Sequence, residues 1–237
     1  MEVPDNPICV ALDAPGADEN IALAAQVAPH CGLLKVGLTA FVERGPSLVA
    51  ELRHLRPVFL DLKLHDIPAQ VNGAAGRAAA LGVSILTIHA AGGAEMISAA
   101  AEATRGSDLT IAAVTVLTSL DDASLEQIGL AGPAESAVLR LADIALGAGA
   151  GALVCSPLEV APVRSRFGTL SEGGPLLIVP GIRPAGSDSA DQRRTLTPRE
   201  ALEGGADILV IGRPITAAPN PERAAQDLAH ELAGTFT

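Results

Sequence analysis

The segment Phe59-Leu60-Asp61-Leu62-Lys63-Leu64-His65-Asp66-Ile67-Pro68 begins as a strand and ends as a loop. Successive side chains of a strand point to opposite faces. Leu60, Leu62 and Leu64 therefore share one face and need an apolar cover, while Phe59, Asp61 and Lys63 share the other. On that second face a carboxylate and an ammonium stand roughly 6–7 Å apart along the strand. Pro68 then ends regular pairing. Asp66 adds a third charge in the loop. Asp61, Lys63 and Asp66 crowd a strand end that otherwise reads as buried. Buried charges must be paired, or they shift their pKa.

Lysine usage points to the same place. The chain has two lysines, Lys35 and Lys63, against 14 arginines, and both lysines sit in apolar, strand-like runs. Arginine keeps its proton near neutrality, whereas a desolvated lysine can release one. Arginine thus serves at the surface, and the two lysines mark a functional position.

Composition bounds the rest. A chain of 237 residues fits one domain spanning 1–237. The hydrophobic fraction of 49% and mean hydropathy of +0.36 are ample for a core. With aromatics at 2% and no Trp or Tyr, that core must be Ala, Val, Leu and Ile. A net charge of −11 argues against nucleic acid or an anionic membrane as partner. An anionic substrate would need a local cluster of positive groups. Met1-Glu2-Val3-Pro4-Asp5 lacks the basic region of a signal peptide. No run reaches the ~18 apolar residues of a membrane span. Cys9, Cys31 and Cys155 have no metal-type spacing and read as reduced, buried thiols of a cytoplasmic protein.

Short apolar runs alternate with Ala-rich helical segments along the chain. Strands are expected at 8–12, 32–36, 58–63, 83–89, 109–117, 152–155, 176–179 and 208–211. Helices are expected at 18–28, 39–54, 69–81, 93–104, 135–148, 157–167, 198–204 and 221–233. Ser136, Ser156-Pro157 and Thr197-Pro198 fit helix starts, and Gly82, Gly149 and Gly204 fit helix ends. Strands apolar at nearly every residue suit a parallel sheet covered on both sides. Eight strand–helix units in this length predict an α/β fold, a single-domain (β/α)8 TIM barrel; a doubly wound open sheet is the alternative. The longest breaks fall at 118–134 and 181–197.

Barrel enzymes place their chemistry at the carboxyl ends of the strands. Here those ends carry Asp13, Lys35, Asp61 with Lys63, His89, Thr118-Ser119, Pro180-Gly181-Ile182-Arg183 and Gly212-Arg213. Gly212 lets backbone approach an anion, and Arg213 can add a bidentate contact. Arg183, Gln192, Arg193 and Arg194 lie in a loop whose composition suits a lid over a ligand. Lys63, between Asp61 and Asp66, should keep its proton and act as a proton donor to a carbanion rather than as a Schiff-base nucleophile. His65 and His89 read as packing or orienting residues.

The run Asp61-Leu62-Lys63-Leu64-His65-Asp66-Ile67-Pro68 resembles the Asp-x-Lys-x-x-Asp-Ile-Pro signature of the orotidine 5′-phosphate decarboxylase family. Val10-Ala11-Leu12-Asp13, Lys35-Val36-Gly37, His89-Ala90, Thr118-Ser119, Pro180-Gly181-Ile182-Arg183, Gln192 and Gly212-Arg213 follow in the family's order. The resemblance implies cofactor-free, metal-free loss of CO2 from orotidine 5′-phosphate to give UMP, in pyrimidine synthesis. It implies that Lys63 protonates C6 of the pyrimidine. Asp61 would face the departing carboxylate and, with Lys35 and Asp66, hold Lys63. Asp13 and Lys35 would contact ribose hydroxyls, Thr118 the pyrimidine, and Gln192, Gly212 and Arg213 the phosphate, with Arg183 supporting the lid. Asp66, with Ile67 beside it, would reach the partner's site in a homodimer. One departure stands out: the family continues Asp-Ile-Pro-x-Thr, and here Gln70 occupies the threonine position, where it can still donate and accept near the ribose. The rival readings are a Mg2+-dependent sugar-phosphate decarboxylase or aldolase of the same barrel type, and a non-catalytic nucleotide-binding barrel.

Overall fold

In the computed structural model of the chain, residues 5–183 and 196–233 are described. Among them, eight parallel strands close into a barrel in sequential order, so the expected TIM barrel is the fold. The strands are β1 (Ile8–Leu12), β2 (Leu33–Gly37), β3 (Val58–Leu64), β4 (Ile85–His89), β5 (Thr110–Val114), β6 (Ala152–Val154), β7 (Leu176–Val179) and β8 (Ile208–Ile211). β8 pairs back onto β1 through Cys9 and Val210, which leaves the sheet without an edge. The helices are α1 (Ala17–Val27), α2 (Leu38–Arg44), α3 (Pro46–Leu52), α4 (Pro68–Ala80), α5 (Gly93–Ala103), α6 (Asp122–Gln127), α7 (Ala134–Gly147), α8 (Val160–Phe167), α9 (Pro198–Glu203), α10 (Arg213–Thr216) and α11 (Pro221–Leu232).

Strand alternation divides the apolar residues into two shells. Cys9, Ala11, Leu33, Phe59, Ile85, Ala112, Val114, Ile178 and Val210 fill the barrel interior. Ile8, Val10, Leu34, Leu60, Leu86 and Leu209 pack outward, beneath the helices. Leu62 and Leu64 join the outer shell, as the face reading of this strand requires. The inward series begins with apolar residues low in the barrel and turns polar at the rim. Leu33 is followed by Lys35, Phe59 by Asp61, and Ile85 by Thr87. The apolar layer therefore forms the floor on which the polar rim stands.

Several boundaries differ from the sequence reading. The helix expected over 39–54 is two helices, because Gly45 takes φ +63° and Pro46, which has no N–H to donate, opens α3. The strand expected over 109–117 stops at Val114. The break at 118–134 contains α6, whose N-cap Asp121 accepts from the Ser124 amide. Ser136 does not cap α7. That helix begins at Ala134, whose N–H donates to Asp122. Ser156 and Thr197 do sit in capping boxes, with Glu159 and Glu200. No helix among the described residues is long and apolar enough to cross a membrane.

Candidate active site

The charged residues at the ends of β1, β2 and β3 form an alternating chain. Lys63 Nζ lies 2.8 Å from both carboxylate oxygens of Asp61. Lys35 Nζ lies 3.4 Å from Asp61 Oδ2 and 3.6 Å from Asp13 Oδ1. Asp61 and Lys35 are buried, whereas the Asp13 side chain is 57% exposed, so the array runs from a desolvated centre to the solvent edge. Burial by itself would raise the Asp61 carboxyl. The charges of Lys35 and Lys63, with hydrogen bonds from Lys63 and Thr87, outweigh it and hold the group below the usual carboxylate range. Burial likewise works against the Lys35 charge, but Asp61 and Asp13 overcome it and push that ammonium above its ordinary value. Asp61 and Lys35 thus keep each other ionised.

The backbone around the array is built to fit it. A Cβ added at Gly37 would lie 3.0 Å from Asp13 Oδ1 and 3.1 Å from Lys35 Nζ, so a side chain there would press on the charges. Buried Asn20 accepts from the Ala14 amide and donates to the Ala14 and Gly16 carbonyls, which fixes the loop that carries Asp13. Lys63 itself has φ +50°, the one non-glycine residue with positive φ among the described residues. Such a conformation persists only when its surroundings hold it.

Two cavities open onto this array. The inner one, about 170 Å³, is lined by Lys35, Asp61, Lys63, Thr118 and apolar residues including Phe59 and Val154. The outer one, about 360 Å³, is lined by Asp13, Lys35, Gly181, Arg183, Gly212 and Arg213, with Thr216 beside them. Lys35, Pro180 and Val210 line both, so the two form one groove, apolar and lysine-tipped at one end and arginine-lined at the other. Gly212 leads from β8 into α10, and Arg183 is anchored where its amide donates to the Leu196 carbonyl.

The groove brings together Asp13, Lys35, Asp61, Lys63, Thr118, Arg183, Gly212 and Arg213 from the sequence reading. Asp66 departs from that reading. It does not flank Lys63 in this chain: it is exposed, and its Oδ1 accepts from the Ile67 amide at 2.7 Å. The reason is local, because the chain has left the strand and an Asp in a turn bonds the next backbone N–H. Ile67 and Gln70 are exposed beside it, and none of the three lines either cavity. Gln192, Arg193 and Arg194 lie outside the described residues. His89 ends β4 with its ring centroid 5.5 Å from that of His65. Burial, then His65 and Lys63, depress its pKa. Thr87, Asn20 and Thr216 were not identified from the sequence, and Gly37 entered only as part of Lys35-Val36-Gly37. Among the described residues, no group of three His, Cys, Asp or Glu side chains is arranged to hold a metal ion.

The model of the orotidine 5′-phosphate decarboxylase / HUMPS family matches residues 6–228. The chain belongs to that family. The orotidine 5′-phosphate decarboxylase of Anaeromyxobacter sp. (strain K) is 56% identical over 230 residues, covering 97% of this chain and 99% of that protein. The Thermobifida fusca enzyme of the same name is 55% identical over 231 residues, covering 97% of both. Among solved structures, the orotidine 5′-phosphate decarboxylase of Lactobacillus acidophilus superposes with a TM-score of 0.82 at 34% identity, covering 95% of this chain and 98% of that one. The family match thus runs over both the β1 and β8 ends of the groove.

Proposed function

We propose that this protein decarboxylates orotidine 5′-phosphate to UMP and CO2 without metal or cofactor. The observation that carries the reading is the Lys63 amine seated across both oxygens of Asp61, at the apolar end of a groove whose other end is arginine-lined. The phosphate sits against Gly212, Arg213 and Arg183, with Gln192 added by resemblance alone. Asp13 and Lys35 meet the ribose hydroxyls where the two cavities join, and the pyrimidine enters beside Thr118.

With the ring so placed, its C6 carboxylate faces Asp61. The bond from C6 to the carboxylate breaks, CO2 leaves, and the electron pair stays on C6. Lys63 gives that carbon a proton, and the neutral amine takes one back from solvent before the next turnover. The positive charges of Lys63 and Lys35 are already in place where negative charge develops, so little reorganisation is needed. Phosphate binding at the far end supplies the energy that holds the ring against these charges.

The same reading places Asp66 in the site of a second copy, as a homodimer acting in the cytoplasm. Leu38, Val42 and Ile67, at 54%, 81% and 63% exposure, follow β2 and β3 on the same rim as Asp66 and supply an apolar surface for such a contact.

The deciding experiment follows orotidylate absorbance with no added metal. Turnover that survives EDTA supports the reading; loss with EDTA and recovery with Mg2+ would replace it with the metal-dependent rival. For Asp66, the Lys63→Ala and Asp66→Asn proteins are unfolded and refolded together. If Asp66 acts across subunits, each mixed dimer has one intact site, and roughly a quarter of normal activity returns. No recovery would place Asp66 outside the partner's site.

A further inference from the structure

We infer that Thr87 is a positioning residue of this site, whose hydroxyl holds the Lys63 backbone and the Asp61 carboxylate in one fixed relation; this rests on the reading just given. Thr87 points into the barrel from the middle of β4 and is 0% exposed. Its Oγ1 accepts from the Lys63 amide at 2.8 Å and donates to Asp61 Oδ1 at 2.9 Å.

Two features give that hydroxyl a task that packing would not. The β3–β4 register shifts between Leu60 and Leu64: Leu60 pairs with Leu86 and Leu64 with Ile88, so four steps along β3 match two along β4. The extra length is taken up around Lys63, at φ +50°, and the Lys63 amide is bonded there by a side chain. An N–H withdrawn from water without a partner is costly, so the hydroxyl is part of what keeps the turned backbone in place. The second feature is direction. A hydroxyl has one proton to give, and an ionised Asp61 can only accept. The Thr87 proton therefore goes to Asp61, and its lone pair remains for the Lys63 N–H. Donor and acceptor are both used, and one side chain sets the amine and its counter-charge together.

Thr87→Val keeps the shape and removes the hydroxyl, whereas Thr87→Ser keeps the hydroxyl and removes the methyl. With orotidine 5′-phosphate, Val should lower kcat about 30- to 100-fold, the scale of a misplaced catalytic group. Its KM should stay within about threefold, and Ser should restore kcat to within about fivefold, because the hydrogen bonds return. The second readout is the Asp61 carboxyl titration, followed by carbon-13 NMR. Losing a donor to its charged form should raise the Asp61 pKa in Val and leave it in place in Ser. A Val variant with normal kcat, a loss confined to KM, or a Ser variant as impaired as Val would overturn the inference. If the unmutated protein is inert on orotidine 5′-phosphate, the proposed function fails, and the titration alone judges Thr87: a shift in Val and not in Ser upholds it, and no shift ends it.

Discussion

The inner and outer ends of the groove share Lys35, Pro180 and Val210, yet they are built from different parts. The charges of the inner end stand on strands. Lys35, Asp61 and Lys63 project from β2 and β3, and each is bonded to a neighbour. The arginines of the outer end stand beyond the strands. Gly181 and Arg183 follow β7, Gly212 links β8 to α10, and Arg213 opens α10. Groups that stabilise developing charge gain from being fixed beforehand, because reorganisation during the reaction costs rate. Groups that grip a remote phosphate can sit on loops that admit and release it. With the charge array on strands and the proposed anion grip beyond their ends, one barrel would serve both needs.

The largest expected effect tests the inner end. Lys63→Ala should lower kcat by about 10³- to 10⁴-fold, the upper range for losing a positioned acid. Calorimetric UMP binding should change only a few-fold; lost binding would show that the ends are not separable. Next comes the outer end. Arg213→Ala removes the charged contact proposed for the phosphate and should raise KM about 100-fold, from a loss of roughly 2–3 kcal/mol. The Asp61 titration should not move. A shift there would mean that the two ends communicate through the array.

A smaller effect is expected where the ends meet. Gly37→Ala puts a methyl group against Asp13 and Lys35. Overpacking of this kind costs about 1–3 kcal/mol, and kcat/KM should drop about tenfold with a lower Tm. An unchanged enzyme would mean that the β2 end yields more readily than its contacts imply.

The smallest effect is the pH dependence of stability. Asp61 has a folded pKa below its ordinary 3.8, so its contribution is complete above that value and is lost as pH falls through the lower, folded one. Lys35 has a folded pKa above its ordinary 10.5, so its contribution is complete below that value and is lost as pH rises through the higher one. The Tm difference between the unmutated protein and Asp61→Asn should hold steady near neutrality, shrink below pH 3.8, and shrink again above pH 10.5 as Lys35 loses its charge. A difference that vanishes at neutral pH would contradict the ion-pair account.

How far each region could be read from sequence follows the same division. β1 to β8 were legible because parallel strands covered on both faces are apolar at nearly every residue, and charges in such runs, at Lys35, Asp61 and Lys63, stand out. Thr87 did not stand out, because threonine is common in strands, and its role depends on a register shift across β3 and β4 that alternation along one strand cannot reveal. The break at Gly45-Pro46 was overlooked because apolar residues continue on both sides of it. α6 was missed because it is short and polar. Asp66 was grouped with Lys63 by closeness in sequence, but the turn carries it to the surface.

The seam between β1 and β8 has a consequence for assembly. The outer cavity takes Ala11 and Asp13 from the first strand and the residue just after it, and Val210, Gly212 and Arg213 from the last strand and the residues just after it. During synthesis, this binding place does not exist until the eighth strand has docked on the first. A ligand held there stabilises only the closed ring, so nucleotide binding can serve as a timer for ring closure in refolding.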